Sequence, residues 1–133
     1  MLRFACALLV LLLLAGCSPP APLTVTAITS ELTDEGIRPA MWRVPGGEQI
    51  TLNLSNTGSQ VHSWTLLTAP PDIPVKNAPE PRVLVQFSLA PGEKQVVTFR
   101  APAAPGEYGL ACSQPGHLAK EGSVRLLVVQ PGY

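Results

Sequence analysis

The chain has little cysteine and little histidine, and this scarcity limits the chemistry that it can perform. Of its three cysteines, Cys6 and Cys17 lie within the first seventeen residues, and only Cys112 lies further along. Its two histidines are His62 and His117. A single cysteine in the body of the chain excludes an internal disulfide there. One thiol and two imidazoles therefore remain as the side chains best suited to bind a metal.

An excess of positive charge is also missing, because nine lysines and arginines balance nine aspartates and glutamates. Nucleic-acid binding needs a basic surface, so no nucleic-acid partner is expected. The sequence contains no glycine-rich phosphate loop, no internal repeat and no paired-carboxylate constellation. We therefore predict that the chain is not an enzyme and has no small-molecule substrate.

Good helix-forming stretches are few, whereas fifteen prolines and eleven glycines punctuate the chain. Residues 48–56 (EQITLNLSN) alternate apolar and polar side chains, which is the period of a half-buried strand. Strands are predicted over residues 23–29, 48–56, 62–67, 82–89, 94–101, 107–112 and 123–130, with an apolar run at 40–44 and loops at 30–39 and 69–81. About eight short strands in one domain predict an all-β sandwich or barrel.

The amino terminus has the features of an export signal. Arg3 precedes an apolar run at 4–14 that is too short for a comfortable membrane span. The tetrapeptide Leu14-Ala15-Gly16-Cys17 resembles the bacterial lipobox, in which the cysteine is lipidated and becomes the first residue. The resemblance implies a lipoprotein signal peptide at 1–16, lipidation of Cys17, a tether at 17–22 and a folded domain at 23–133. The alternative is an ordinary secretory signal with a chance cysteine.

A lipid on Cys17 implies a chain that is exported and anchored to the cell envelope. The anchor would lie on the outer face of the cytoplasmic membrane or on the periplasmic side of an outer membrane. Cys112 is then the only thiol left without lipid in an oxidising compartment. A lone cysteine in such a compartment is either buried and inert or reserved for chemistry.

The segment from Cys112 to His117 has the form of a metal-binding loop. A Ser-Gln-Pro-Gly turn separates the two residues, and a predicted strand lies on each side. A thiolate and an imidazole on one tight loop suit a soft or borderline metal. His62, at the start of another predicted strand, supplies a third candidate ligand. The alternative for each residue alone is structural, because a buried cysteine often acts as a small apolar side chain.

Three motifs in this order resemble those of the cupredoxins, the blue copper proteins of the plastocyanin and azurin group. They are PGGE at 45–48 with NTG at 56–58 before His62, LAPGE at 89–93, and PGEY at 105–108 with CSQPGH at 112–117 and GSV at 122–124. The resemblance extends over roughly residues 23–130. It implies a Greek-key β-sandwich with one type 1 copper ion, held by His62, Cys112 and His117 at one end.

The residue in the axial position departs from the family pattern, because no methionine follows His117. Counting forward from His117 places Glu121 there, whereas counting back from the GSV motif places Lys120. We predict Glu121 as the axial ligand, because a carboxylate oxygen can offer a lone pair to the metal and a charged lysine cannot. Lys120 is the other candidate. A site without an axial side chain is a third alternative. An oxygen ligand should favour Cu(II) and lower the reduction potential relative to methionine.

The resemblance also implies roles around the ligands and for the whole chain. Polar residues at the positions of Ser63 and Ser113 hydrogen-bond the two ligand loops together in the family, although loop serines are often simply solvated. The expected function is that of a one-electron carrier between membrane-associated redox proteins outside the cytoplasm. The alternatives are a lipoprotein that delivers or sequesters copper and a metal-free cupredoxin-like interaction domain.

Overall fold

The computed structural model describes residues 25–70, 80–115, 117 and 124–130. Within these ranges the chain forms nine β-strands and no helix. The strands are β1 (Ala27–Thr33), β2 (Gly36–Arg38), β3 (Met41–Pro45), β4 (Gln49–Asn56), β5 (His62–Leu67), β6 (Val83–Leu89), β7 (Lys94–Arg100), β8 (Gly106–Ala111) and β9 (Val124–Val129). The described part of the chain thus contains no helical segment that could cross a membrane. The predicted signal peptide at 1–16, Cys17 and the predicted tether at 17–22 lie outside the described residues.

The strands form two sheets that pack face to face. One sheet has the order β2-β1-β4-β7 and the other has the order β3-β9-β8-β5-β6. β1 pairs with β4 and β3 pairs with β9 in parallel, whereas the other neighbours are antiparallel. The chain changes sheet repeatedly, as Greek-key connections require. The predicted all-β Greek-key sandwich is confirmed, with nine described strands where about eight were expected.

Alternating side chains from both sheets fill the space between them. In β4, Ile50, Leu52 and Leu54 are buried, while the residues between them face outward. The Trp64 ring of β5 packs between Phe87 and Phe99. The largest fully buried apolar side chains among the described residues are Trp64, Leu32, Ile50, Leu52, Leu66, Leu89, Leu110, Leu126, Val44 and Val128. Removal of this apolar surface from water stabilises the sandwich.

The prediction for residues 30–39 was wrong, because the segment is not a loop. β1 continues to Thr33, and the short strand β2 pairs back onto it. Ser30, Leu32 and Ile37 are buried, so the inward alternation continues through the charged residues that suggested a solvated loop. Thr33 Oγ1 closes the intervening turn by accepting the Glu35 and Gly36 N–H groups. Gly36 has φ of 142°, a conformation that favours glycine.

Strand pairing decides where the candidate ligands lie. β5 begins at His62, and Cys112 follows the last residue of β8. Because β5 and β8 are antiparallel neighbours, with Thr65 opposite Ala111, the start of one lies beside the end of the other. The loop from β4 to β5, residues 57–61, covers the same end of the sandwich. This end therefore collects His62 and Cys112 although they are distant in sequence.

Asn56 anchors that loop, and its replacement should destabilise the fold. Its buried side chain donates to the Gln60 and Leu89 carbonyls at 2.8 and 3.0 Å and accepts the Gly58 N–H at 2.9 Å. Asn56→Ala removes all three hydrogen bonds and leaves the buried Leu89 carbonyl without this partner, so we expect the free energy of unfolding to fall by roughly 2–4 kcal/mol. Denaturant unfolding of the metal-free chain measures this loss.

The matched control is Asn53→Ala on the same strand. Asn53 is half-buried, and its side chain makes a 3.3 Å hydrogen bond to the Ile28 carbonyl. We expect Asn53→Ala to lower the free energy of unfolding by less than about 1 kcal/mol. Equal losses in the two variants would show that Asn56 does not anchor the loop.

Candidate metal centre

The structure brings the three predicted ligands His62, Cys112 and His117 into one cluster. Cys112 Sγ lies 3.8 Å from His62 Nδ1 and 3.5 Å from His117 Nδ1. The potential ligand atoms of the three residues all lie within 4.8 Å of one another. His62 and Cys112 are buried and His117 is half-buried. Three donor atoms therefore converge on one point near the surface.

Local structure places His117 opposite Cys112. β8 ends at Ala111, and the following residues form a turn in which the His117 N–H donates to the Gln114 carbonyl at 3.1 Å. The His117 ring consequently lies against the His62 ring, with 4.9 Å between ring centroids.

The spacing of the donor atoms fits a metal ion bound by nitrogen and sulfur. Metal–sulfur bonds of about 2.3 Å and metal–nitrogen bonds of about 2.0–2.1 Å, at angles of roughly 110–120°, separate sulfur from nitrogen by about 3.6–3.8 Å. The observed separations of 3.5 and 3.8 Å agree with that requirement. Thiolate and imidazole donors together suit copper in both of its oxidation states.

Ser63 and Ser113 connect the two strands that carry the buried ligands. The Ser63 N–H donates to Cys112 Sγ at 3.3 Å, and the Ser63 hydroxyl lies 3.6 Å from the same sulfur. The Ser113 N–H donates to Ser63 Oγ at 2.7 Å, and the two hydroxyls lie 2.9 Å apart. Donors aimed at sulfur stabilise a thiolate. The two serines thus join the loops, and Ser63 donates hydrogen bonds to the sulfur.

The outward nitrogen of each imidazole also has an oxygen partner. His62 Nε2 lies 3.0 Å from Asp34 Oδ1, in the turn between β1 and β2. His117 Nε2 lies 3.3 Å from Gln60 Oε1. An oxygen acceptor at Nε2 fixes the proton there and leaves the Nδ1 lone pair for a metal. In both rings Nδ1 is the nitrogen that faces Cys112.

Asp34 is ionised at neutral pH. Its hydrogen bond with His62 and the hydrogen bond from the Ser59 N–H lower the pKa of Asp34 to about 2. The Ser59 N–H lies 2.9 Å from both carboxylate oxygens. An ionised carboxylate can only accept hydrogen bonds, so His62 Nε2 must carry the proton and donate it.

Gly58 leaves the space in which Asp34 and His62 meet. A Cβ atom at residue 58 would lie 2.6 Å from Asp34 Oδ1 and 2.6 Å from His62 Nε2. Such a separation is far below van der Waals contact, so a side chain here would displace the pair. Glycine at this position is a steric requirement of the site.

Sequence reasoning missed Asp34, Gly58 and Gln60. Asp34 lies 28 residues before His62 and inside the segment that was predicted as a loop. Only the non-local packing of the β1–β2 turn against residues 57–61 brings it to the ring. The two axial candidates, Glu121 and Lys120, lie outside the described residues, as does Cys17.

Three solved structures similar to this chain are auracyanins. Auracyanin from Roseiflexus castenholzii has 24% sequence identity and a TM-score of 0.63, over 80% of this chain and 98% of that chain. Auracyanin B has 21% sequence identity and a TM-score of 0.63, over 82% of this chain and 92% of that chain. Auracyanin A from Chloroflexus aurantiacus has 25% sequence identity and a TM-score of 0.57, over 77% of this chain and 99% of that chain. That protein is described as a blue copper protein. A search of curated protein sequences finds no match.

A family model described as "Cupredoxin-like domain" matches residues 4–124. His62, Cys112 and His117 are placed as the ligands of a type 1 copper site, which confirms copper as the predicted cofactor. The family match, the sandwich fold and this cluster of donors together show that the chain belongs to the cupredoxin-like family.

Proposed function

We propose that the chain is a one-electron carrier that holds a single copper ion with His62, Cys112 and His117. The observation that carries the proposal is that one ligand atom from each of the three residues lies within 4.8 Å of the others, with Cys112 Sγ 3.8 Å and 3.5 Å from the two Nδ1 atoms. Copper bound to such donors supplies a one-electron couple between Cu(I) and Cu(II). The auracyanin from Roseiflexus castenholzii is described in its dithionite-reduced form, which supports redox activity in a similar protein.

The protein's contribution is to hold its donor atoms in one arrangement whatever the charge at the site. Cys112 Sγ is fixed by Ser63, and the two rings are fixed by Asp34 and Gln60. A site whose ligands are positioned by a rigid scaffold changes little when charge is added or removed. Because the ligands would move little when the charge changes, such a site favours rapid electron transfer over ligand exchange.

His117 is the proposed route for electrons between the site and a partner. It is the half-buried ligand, whereas His62 and Cys112 are buried. Exposed Val61 and Pro115 lie in the loops beside it. An apolar surface with few charges is suited to brief contacts with redox partners. The donor and acceptor are proposed to be redox proteins at the same membrane.

Anchoring of the carrier is part of the proposal. Lipidation of Cys17 after removal of residues 1–16 would confine the domain to the envelope surface, outside the cytoplasm. Multiple acyl chains give stable attachment, because each buried methylene adds to membrane affinity. The tether at 17–22 would separate the domain from the lipid and leave the His117 end available.

The test of the proposal is the visible spectrum of the processed chain, residues 17–133 with lipid on Cys17, during titration with Cu(II). We expect an intense thiolate-to-copper charge-transfer band that reaches its maximum at one equivalent. Cys112→Ser should abolish the band, because serine offers no thiolate. Thr98→Ser is the matched control, because Thr98 is exposed on β7 in the other sheet, and it should keep the band. A colourless wild-type product would overturn the electron-carrier proposal.

A second prediction concerns Glu121, the proposed axial ligand. Glu121→Met replaces a hard oxygen with a soft thioether, which stabilises Cu(I) and should raise the reduction potential. Lys120→Met is the matched control and should leave the potential nearly unchanged. Spectroelectrochemical titration measures both. A larger shift for Lys120→Met would assign the axial position to residue 120, and no shift in either variant would show that neither side chain is a ligand.

A third prediction concerns Gly58. Gly58→Ala should weaken copper binding at least about tenfold, because the new methyl group displaces His62 and Asp34. Competition with a copper chelator measures the affinity. Val61→Ala, in the same loop but with an exposed side chain, should bind like the wild type. Equal affinities for Gly58→Ala and the wild type would show that the His62–Asp34 contact does not position the ligand.

A further inference from the structure

The two imidazoles of the cluster differ in the charge of their outer partner. His62 Nε2 faces the carboxylate of Asp34 at 3.0 Å, whereas His117 Nε2 faces the neutral amide oxygen of Gln60 at 3.3 Å. The His62 ring is only 2% exposed, while the Asp34 side chain is 49% exposed. A buried ring is therefore paired with an anion that itself remains in contact with solvent.

The pairing is built into the fold by several independent contacts. The Ser59 N–H donates to both oxygens of Asp34 at 2.9 Å. Thr57 ties the same loop to β1, through its N–H to the Leu32 carbonyl and its hydroxyl to Glu31. Gly58 keeps the space between ring and carboxylate empty of side chain. These contacts hold the β1–β2 turn against the loop that precedes His62.

We propose that Asp34 is a positioning residue that fixes His62 as its Nε2–H tautomer and biases the site towards Cu(II). The inference rests on the proposed copper function. Donation of the Nε2 proton to a carboxylate makes the imidazole a stronger donor through Nδ1. The additional negative charge also favours the more positive oxidation state of the ion. Both effects act in the same direction and lower the reduction potential.

The effect of Asp34 on the ratio of Cu(II) to Cu(I) affinity depends on how far its carboxylate is exposed to solvent. Loss of an outer partner of a metal ligand commonly reduces metal affinity 10–100-fold. Because Asp34 is half-exposed, solvent screens part of its charge, and the lower end of that range applies. Because the lost negative charge weakens the binding of Cu(II) more than that of Cu(I), we expect the ratio of Cu(II) to Cu(I) affinity to fall about tenfold when the charge is removed. This fall corresponds to a rise of about 59 mV in the reduction potential of a one-electron couple.

The substitution Asp34→Asn removes the negative charge but keeps an oxygen that can accept hydrogen bonds. The Ser59 N–H needs an acceptor, so the asparagine oxygen should take the place of Oδ1 and accept from both Ser59 and His62. The tautomer should persist while the affinity ratio falls about tenfold. Asp34→Ala removes the acceptor as well, so its His62 ring should become a mixture of tautomers and its ratio should fall further.

The experiment uses the processed chain, residues 17–133, in two measurements. Long-range ¹H–¹⁵N spectra of the metal-free protein report the protonated nitrogen of His62 in the wild type and in both variants. Competition with chelators specific for Cu(I) and Cu(II) gives the two affinities. Glu35→Gln is the matched control, because Glu35 carries the same charge on the same turn but pairs with Arg38 at 2.6 Å. Its affinity ratio should stay within about twofold of the wild type, as screening of an exposed charge requires.

Each outcome decides one half of the inference. A wild-type ring protonated on Nδ1 would overturn the positioning role. Equal shifts for Asp34→Asn and Glu35→Gln, or no shift for Asp34→Asn, would overturn the bias towards Cu(II). A wild type that binds no copper would overturn that bias together with the proposed function, while the metal-free spectra would still decide the positioning role.

Discussion

A thiol and an imidazole buried side by side cost free energy unless each of their polar atoms has a partner, and this requirement organises the metal-binding end of the chain. Cys112 Sγ faces the Ser63 N–H and the two Nδ1 atoms, and His62 Nε2 faces Asp34. The loop at 57–61 supplies or positions several of these partners and is itself held by buried Asn56. Cluster, loop and β1–β2 turn therefore form one interdependent unit.

The sandwich provides the rigidity that this unit needs. β5 and β8 are neighbours inside a five-stranded sheet, so the start of β5 and the end of β8 cannot move independently. Trp64 is buried between Phe87 and Phe99 two residues after His62, which fixes the strand that carries this ligand. The core thus determines where the donor atoms lie, and the hydrogen bonds determine which atoms face inward.

Local patterns in the sequence were sufficient for most strands. β5 begins and ends at His62 and Leu67, as predicted, and the alternation in 48–56 corresponds to β4. The strand predicted at 23–29 continues further than expected, and β2 was missed, because charged residues in that segment masked the inward alternation of Leu32 and Ile37. The ligand residues could be selected because the chain has so few thiols and imidazoles and because the CSQPGH motif resembles a known family. Asp34, Gly58 and Gln60 could not be selected, since their roles arise from packing between segments that no local pattern connects.

An electron carrier must keep its copper while the site gains and loses one electron. We would therefore reduce and reoxidise the copper-loaded chain of residues 17–133 repeatedly in the presence of a Cu(I) chelator and record the charge-transfer band at each step. The band should disappear on reduction and return fully on reoxidation, and the chelator should stay without copper through many cycles. Transfer of the copper to the chelator on the first reduction would refute the electron-carrier proposal and would indicate a protein that delivers the ion.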